Sequence, residues 1–138
     1  GDDVFKLSGM ARSIDGGTGF DTVQLLNPAS SLDYTNVGSE ALSGIERFQM
    51  GENGQSIKLG LDDIFRLLQE SSDGTLRIED TSFSGVTSFA IDDNGGDGTV
   101  LSNAPSTTVT EAGVTYDVYN FNNYQLMIDQ NVDTVVVI

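Results

Sequence analysis

The residues best suited to chemistry lie in a glycine- and aspartate-rich segment near the start of the chain. Residues 15–23 read Asp-Gly-Gly-Thr-Gly-Phe-Asp-Thr-Val, so that Gly-Gly-x-Gly-x-Asp is followed by an apolar position. Glycines let the backbone turn tightly and direct carbonyl oxygens at a hard cation, and aspartate supplies negative charge. The spacing predicts a calcium-binding turn. Its predicted ligands are Asp15, Gly17, Gly19 and Asp21, with Val23 turned inward as an anchor.

A nine-residue period extends this segment back to the first residues. Asp3 and Asp21 are 18 residues apart, twice that period, so Asp3 is predicted as a further ligand. The apolar residues that share one phase of the period are Phe5, Ile14 and Val23. Arg12 occupies the aspartate position of the intervening turn, and we therefore expect one or two ions rather than a full row. The alternative is a Gly/Asp-rich hairpin without metal.

A second concentration of carboxylates follows residue 79. Residues 92–98 read Asp-Asp-Asn-Gly-Gly-Asp-Gly, which is more polar than a hairpin requires, so a cation site is indicated, with an ordinary acidic turn as the alternative. The predicted metal ligands of this region are Asp80, Asp92, Asp93, Asp97 and Asp129. The residues predicted to contact a bound ligand are Asp80, Asp92, Asp93, Asn94, Gly95 and Asp97.

Three tyrosines near the end of the chain are candidates for a peptide groove. Tyr116, Tyr119 and Tyr124 offer flat apolar faces and hydroxyl groups, which suit an extended peptide. Tyr116 also alternates in phase with Val114 and Val118, which favours a place in the core for that residue. Both interpretations stay open at the level of sequence.

Charge and composition restrict the classes of function. The 138 residues include 21 acidic and 6 basic side chains, a net charge of -15, so nucleic acid and anionic membranes would be repelled. Solubility alone could account for part of this acidity. The chain has neither cysteine nor histidine, which excludes disulfides, a thiolate zinc site and the Ser-His-Asp and Cys-His arrangements of hydrolases. We therefore expect a binding or structural protein rather than an enzyme.

Hydrophobic patterning predicts an all-β fold with one short helix. Apolar residues at helical spacing and acids in the first turn predict a helix over residues 61–70. Glu46 is expected to be a strand residue that faces solvent or a nearby cation. Residues 134–138 are apolar on both faces, which predicts a strand in the middle of a sheet. The other predicted strands are 22–26, 45–50, 56–59, 75–79, 86–91, 114–121 and 124–129.

The ordered series of motifs resembles a domain from the ligand-binding region of RTX adhesins, the large bacterial surface proteins exported by type I secretion. The motifs that carry the resemblance are residues 15–23 (the calcium nonapeptide of RTX proteins), 32–35 (Leu-Asp-Tyr-Thr), 44–46 (Gly-Ile-Glu), 61–64 (Leu-Asp-Asp-Ile), 75–78 (Thr-Leu-Arg-Ile), 114–119 (Val-Thr-Tyr-Asp-Val-Tyr) and 126–129 (Leu-Met-Ile-Asp). The resemblance implies a single calcium-stabilised β-sandwich domain over residues 1–138. It also implies an extracellular location at the bacterial surface, as a monomeric piece of a larger chain.

Residues 79–98 depart from the common form of such modules, which join Thr-Leu-x-Ile directly to a Gly-x-x-Asp-x-Val turn. Additional loop or hairpin material on a rigid scaffold often carries recognition. The elaborated form resembles the calcium-dependent peptide-binding domains of these adhesins, in which bound calcium grips the C-terminal carboxylate of a protein on a target cell, as in cell adhesion and biofilms. A calcium-dependent lectin, which would bind sugar hydroxyls, and a purely structural spacer remain alternatives.

Overall fold

The structure is a computed structural model that describes residues 1–35, 41–81, 85–92, 107–121 and 123–137. Most of these residues are in short strands. The strands are β1 (Val4–Leu7), β2 (Ile14–Asp15), β3 (Thr22–Leu25), β4 (Ser31–Asp33), β5 (Leu42–Ser43), β6 (Arg47–Met50), β7 (Ser56–Gly60), β8 (Thr75–Asp80), β9 (Ser88–Asp92), β10 (Thr107–Glu111), β11 (Val114–Phe121), β12 (Tyr124–Asp129) and β13 (Thr134–Val137). Helix α1 (Leu61–Glu70) lies between β7 and β8. The mainly-β prediction with one short helix is confirmed.

The largest sheet, called the main sheet below, has seven strands in the order β1-β3-β6-β8-β12-β11-β10. Its first five strands run parallel to one another, and β11 and β10 add an antiparallel hairpin at one edge. In the first pairing Phe5 lies opposite Val23, two residues that share one phase of the nine-residue period. The five parallel strands of the main sheet thus follow one another in chain order, because each pairs with the parallel strand before it.

The second sheet is built by the same coiling of the chain. Its order is β13-β9-β7-β4 and all of its pairs are parallel, while β2 and β5 form a small third sheet. After each of β1, β3, β6 and β8 the chain crosses to another sheet and then returns to the main sheet. We call one such passage a coil. In the described part of the chain the two larger sheets are thus built from parallel coils. Strand β13 lies at the edge of the second sheet, so its predicted place in mid-sheet is wrong.

One core lies between the two larger sheets. Strand alternation explains it, since every second side chain of a strand points to the same face. In β7, for example, Ile57 and Leu59 are buried and the residues between them are partly exposed. Phe48 of the main sheet and Phe89 of the second sheet are fully buried in the same cluster. The coils are thus held together by shared apolar packing as well as by backbone hydrogen bonds.

Helix α1 has the predicted bounds and closes one side of the coil. Its buried face carries Ile64, Leu67 and Leu68, which belong to the core. Arg66 joins the helix to the small sheet by donating from Nη2 to the carbonyl oxygen of Leu42 at 2.8 Å. Within the described residues, no helix is long and apolar enough to cross a membrane.

Candidate functional site

Asp21 lies at the first turn, directly before β3, and is completely buried. Its Oδ1 accepts a hydrogen bond from the amide of Asp3 at 2.7 Å. Its Oδ2 is also buried and has no hydrogen-bond partner among the described residues. Because a buried carboxylate oxygen without a partner is costly, this atom is the feature of the turn that most requires a compensating group.

Glu46 is the functional candidate that sequence reasoning missed. It is 2% exposed and directly precedes β6, and its Oε2 accepts a hydrogen bond from the amide of Asp21 at 2.7 Å, so the prediction that it faces solvent from within a strand is wrong. Burial raises the pKa of the Glu46 carboxyl; the hydrogen bond from Asp21 opposes that shift, and the charges of Asp21 and Asp73 add to it. The signal in the sequence was the repeat of Gly-x-acid before a strand, at residues 19–21 and again at 44–46.

Glycines bring the two turns into contact. A methyl group on Gly16 would lie 2.1 Å from the carbonyl oxygen of Gly44 and 2.8 Å from Oδ2 of Asp21. Gly17 and Gly19 have φ values of +76° and +126°, a region that side chains disfavour. The glycines of the motif are therefore explained by close backbone approach and turn geometry.

The remaining predicted ligands of this turn are less closely involved. Asp15 is exposed and its Oδ1 accepts a hydrogen bond from the amide of Gly17 at 2.9 Å, which is a local turn contact. Asp3 contributes its amide to Asp21, while its own residue is exposed. In the described part of the chain no group of three or more Asp or Glu side chains has the arrangement of a metal site. A cation here would therefore depend on backbone oxygens in addition to carboxylates.

A cleft of about 620 Å³ brings together two residues of the second predicted site, Asp80 and Asp129. They are the last residues of β8 and β12, which are parallel neighbours in the main sheet. They are 2% and 3% exposed, respectively. The other residues that line the cleft are Thr81, Ala112, Gly113, Val114, Thr115, Gln130 and Asn131.

Both carboxylates of the cleft are oriented by hydrogen bonds. Asp129 accepts from the amide of Asp80 at 3.1 Å and from the amide of Asn131 at 2.9 Å, and the hydroxyl of Thr87 donates to Oδ2 of Asp80 at 2.7 Å. Burial raises the pKa of the Asp129 carboxyl; these two amides oppose the shift, and the charges of Asp80 and Glu79 add to it. The cleft thus places two buried carboxyl groups close together.

Of the other residues predicted for this site, those that the structure describes are not brought to the cleft. Asp92 is half-buried at the end of β9, opposite Gly60 in the second sheet. Tyr119 and Tyr124 are partly buried and pack against the main core, whereas Tyr116 is 2% exposed, as its alternation with valines indicated. The predicted ligands that lie outside the described residues are Asp93, Asn94, Gly95 and Asp97.

Glu79 organises a charged network on the face of the main sheet that Tyr116 shares. It accepts hydrogen bonds from the hydroxyl of Tyr116 and from Nε2 of Gln49, the latter at 2.9 Å. Nε of Arg47 lies 3.0 Å from Oε2 of Glu79, an ion pair without the alignment of a hydrogen bond. Burial, reinforced by the hydrogen bond to Glu79, raises the pKa of Tyr116 well above its ordinary value. The network occupies Tyr116 in a structural contact.

Arg77 extends this network to the turn before β8 and to the hairpin. Its guanidinium is within 3.1 Å of Asp73 and 3.2 Å of Glu111. The guanidinium carbons of Arg47 and Arg77 lie 4.6 and 5.4 Å from the centre of the Phe20 ring. Two of the six basic residues of the chain are thereby engaged in holding successive coils in place.

Comparisons with known proteins give no assignment: no family model, no curated protein and no solved structure matches this chain. A functional proposal therefore has to rest on the chemistry of the two carboxylate pairs, Asp21 with Glu46 and Asp80 with Asp129. Both consist of oxygen donors alone, which suits a hard cation such as calcium and gives no thiolate or imidazole for zinc.

Proposed function

We propose that this chain is a calcium-dependent peptide-binding module of a secreted bacterial adhesin of the RTX type. The observation that carries the proposal is the cleft in which Asp80 and Asp129, both buried, stand side by side. The proposed activity is binding, and the proposed ligand group is the C-terminal carboxylate of a protein on a target surface. The resemblance of the ordered sequence motifs to RTX adhesins supports the wider setting, which is export by type I secretion and display outside the cell.

The mechanism follows from charge. A chain with a net charge of -15 repels an anionic ligand, and two adjacent buried carboxylates increase that repulsion locally. Calcium accepts six to eight oxygens at about 2.3–2.6 Å, so two protein carboxylates would leave open positions on it. A ligand carboxylate can fill one of these positions. Calcium would thus convert a repulsive cleft into an anion receptor, and Asp80 and Asp129 are the residues that would hold it.

The hydrogen bonds within the cleft suit this role. The amides of Asp80 and Asn131 hold the Asp129 carboxylate, and the Thr87 hydroxyl holds that of Asp80, so neither group has to reorganise greatly when a cation arrives. The turn between β10 and β11 forms one wall through Ala112 and Gly113. It offers main-chain groups to a peptide lying in the cleft.

The experiment that tests this function is binding to pairs of peptides that differ only in a free or an amidated C-terminus, with simple glycans on the same array. It is run in millimolar calcium and in excess chelator. We expect capture of the free-carboxylate peptides in calcium only. Capture that is indifferent to amidation would refute the carboxylate mechanism. Capture of glycans would instead identify a lectin, and no capture at all would leave calcium with a structural role.

Site variants connect the binding result to the cleft. Asp129→Asn keeps the shape of the side chain and removes its charge, so we expect peptide affinity to fall about tenfold or more. Asp62→Asn is the matched control, since it makes the same change of charge at an exposed residue of α1 outside the cleft. Melting temperatures in chelator establish that both variants fold. Equal peptide affinity of the two variants would remove Asp129 from the site.

A further inference from the structure

We infer that Glu46 and Asp21 hold one calcium ion together and that this ion links two successive coils of the main sheet. The inference rests on the proposed calcium dependence but concerns a place away from the peptide cleft. The glycine-rich motif of residues 15–23 does not contain Glu46, which enters from the next coil.

Asp21 and Glu46 have no protein cation as an ion-pair partner in the described part of the chain. All six Lys and Arg residues lie in the described part of the chain, and none of the ion pairs found there involves Asp21 or Glu46. The N-terminal ammonium donates to the carbonyl oxygen of Thr18 instead. Two neighbouring carboxylates that are 0% and 2% exposed are thus left without a positive partner. Buried charges are ordinarily paired or bound to metal.

The Asp21 carboxylate also leaves one oxygen without a hydrogen-bond partner among the described residues. Oδ2 of Asp21 is buried and has no hydrogen-bond partner in the described residues, although Oδ1 of the same group is bonded to the Asp3 amide. The protein therefore orients the carboxylate with one oxygen and leaves the other for a further group. In Glu46, Oε2 is oriented in a similar way by the Asp21 amide.

Further oxygens lie near the contact between the two turns. The Gly44 carbonyl oxygen and Oδ2 of Asp21 both lie within 3 Å of the position that a methyl group on Gly16 would occupy. The Gly17 carbonyl oxygen lies 2.7 Å from the position that a methyl group on Gly44 would occupy. Carboxylate and carbonyl oxygens of the two turns thus lie close to the contact between these turns. Calcium takes such mixed sets of oxygens.

The ion would lie where two neighbouring parallel strands begin. Asp21 directly precedes β3 and Glu46 directly precedes β6, and these strands pair in parallel with Thr22 opposite Arg47. The backbone already joins the same residues, since the amides of Glu46 and Arg47 both donate to the carbonyl oxygen of Asp21. A shared ion adds a side-chain link at this junction.

The test is a calcium titration by calorimetry of the wild type, Glu46→Gln and Asp21→Asn, with Glu52→Gln as the control for charge at an exposed position. Both site variants keep an oxygen that can accept the existing amide hydrogen bond. We expect each to lose one calcium ion from the stoichiometry, or to bind it at least about tenfold more weakly, and the double variant to lose no second ion. The control should bind as the wild type does.

Thermal melts with and without calcium complete the test. In chelator we expect Glu46→Gln to melt no lower than the wild type, because it relieves an unpaired buried charge; in calcium it should gain less than the wild type gains. If Glu46→Gln and Glu52→Gln show the same calcium stoichiometry and affinity, the inference is wrong. Failure of peptide capture would refute the proposed function alone, since the calcium titration does not depend on a peptide.

Discussion

Replacement of Gly16 by alanine is the most direct test of how tightly the first two turns are packed. Gly16 is buried, and its amide donates to the carbonyl oxygen of Ser43 at 2.9 Å, so this backbone cannot move away freely. The new methyl group would lie 2.1 Å from the Gly44 carbonyl oxygen and 2.7 Å from Cβ of Asp21. Both distances are shorter than any ordinary contact of a methyl group.

The magnitude follows from the kind of neighbour. The φ of Gly16 is not in the left-handed region, so the cost comes from contact rather than from backbone conformation. Overpacking a buried site costs about 1–3 kcal/mol, and the upper end applies because the nearest neighbour is backbone. We therefore expect a loss of about 3 kcal/mol from a stability of about 5–15 kcal/mol. In a domain of this length, that loss corresponds to a decrease in Tm of roughly 10 °C.

Two further glycine variants separate contact from conformation. A methyl group on Gly17 would meet nothing within 4 Å, but its φ of +76° costs alanine about 1–2 kcal/mol. A methyl group on Gly9 would also meet nothing, and its φ is not positive, so stability should hardly change. Urea denaturation in chelator should order the losses as Gly16→Ala, then Gly17→Ala, then Gly9→Ala. If Gly16→Ala is as stable as Gly9→Ala, the packing described for these turns is incorrect.

Two other predictions concern single hydrogen bonds. Tyr116→Phe should lower the free energy of unfolding by about 1.5–3 kcal/mol, because the lost hydroxyl donates to the charged Glu79. Tyr34→Phe loses a hydrogen bond to a neutral main-chain carbonyl and should lower it by about 1 kcal/mol. Urea denaturation measures both losses, and equal losses would contradict the assigned difference between the two hydrogen bonds. Hydrogen bonds from the Thr35 hydroxyl and amide lower the pKa of Asp33, so this carboxylate adds stability above its unfolded pKa and loses that contribution as pH falls through its folded pKa. Thr35→Val should therefore raise the pKa of Asp33 in an NMR titration and cost stability at neutral pH but not in strong acid; an unchanged pKa would contradict the assignment.

Local elements were predicted well because their signals lie within a few residues. The helix over 61–70 and the strands over 114–121 and 124–129 have the predicted bounds. Strands β2 and β5 were missed because each has only two residues, which cannot show alternation. Strand β10 was missed because its sequence, Thr-Thr-Val-Thr-Glu, has a single apolar residue and no alternating pattern.

The parallel coils could not be predicted, because strand pairing is a non-local property. The period of nine places Phe5 and Val23 in one phase, and these residues pair, but later coils have other lengths and do not follow the period. Strand β13 shows the same limitation. Its valines suggested burial on both faces, whereas its place at the edge of the second sheet leaves Val136 41% exposed.

The candidate sites were predicted in part. Sequence reasoning assigned Asp80 and Asp129 to one site, and the structure places both in one cleft although 48 residues of chain separate them. It interpreted Glu46 as a peripheral strand residue, because nothing near it in the sequence reveals that the Asp21 turn packs beside it. The repeated Gly-x-acid pattern marks both residues, but their contact depends on the pairing of β3 with β6, which the sequence does not reveal.

The coiled arrangement also sets the order in which the main sheet can assemble. Val4 pairs with a residue 18 positions later, whereas Thr75 pairs with Gln125, which is 50 positions later. Closing the longer loop costs about 0.9 kcal/mol more in chain entropy. The first coils should therefore form early and act as a template, and the pairing of β12 with β8 should form later. The residues between β8 and β12, which include the hairpin, thus determine how quickly the two halves of the Asp80–Asp129 cleft meet during folding.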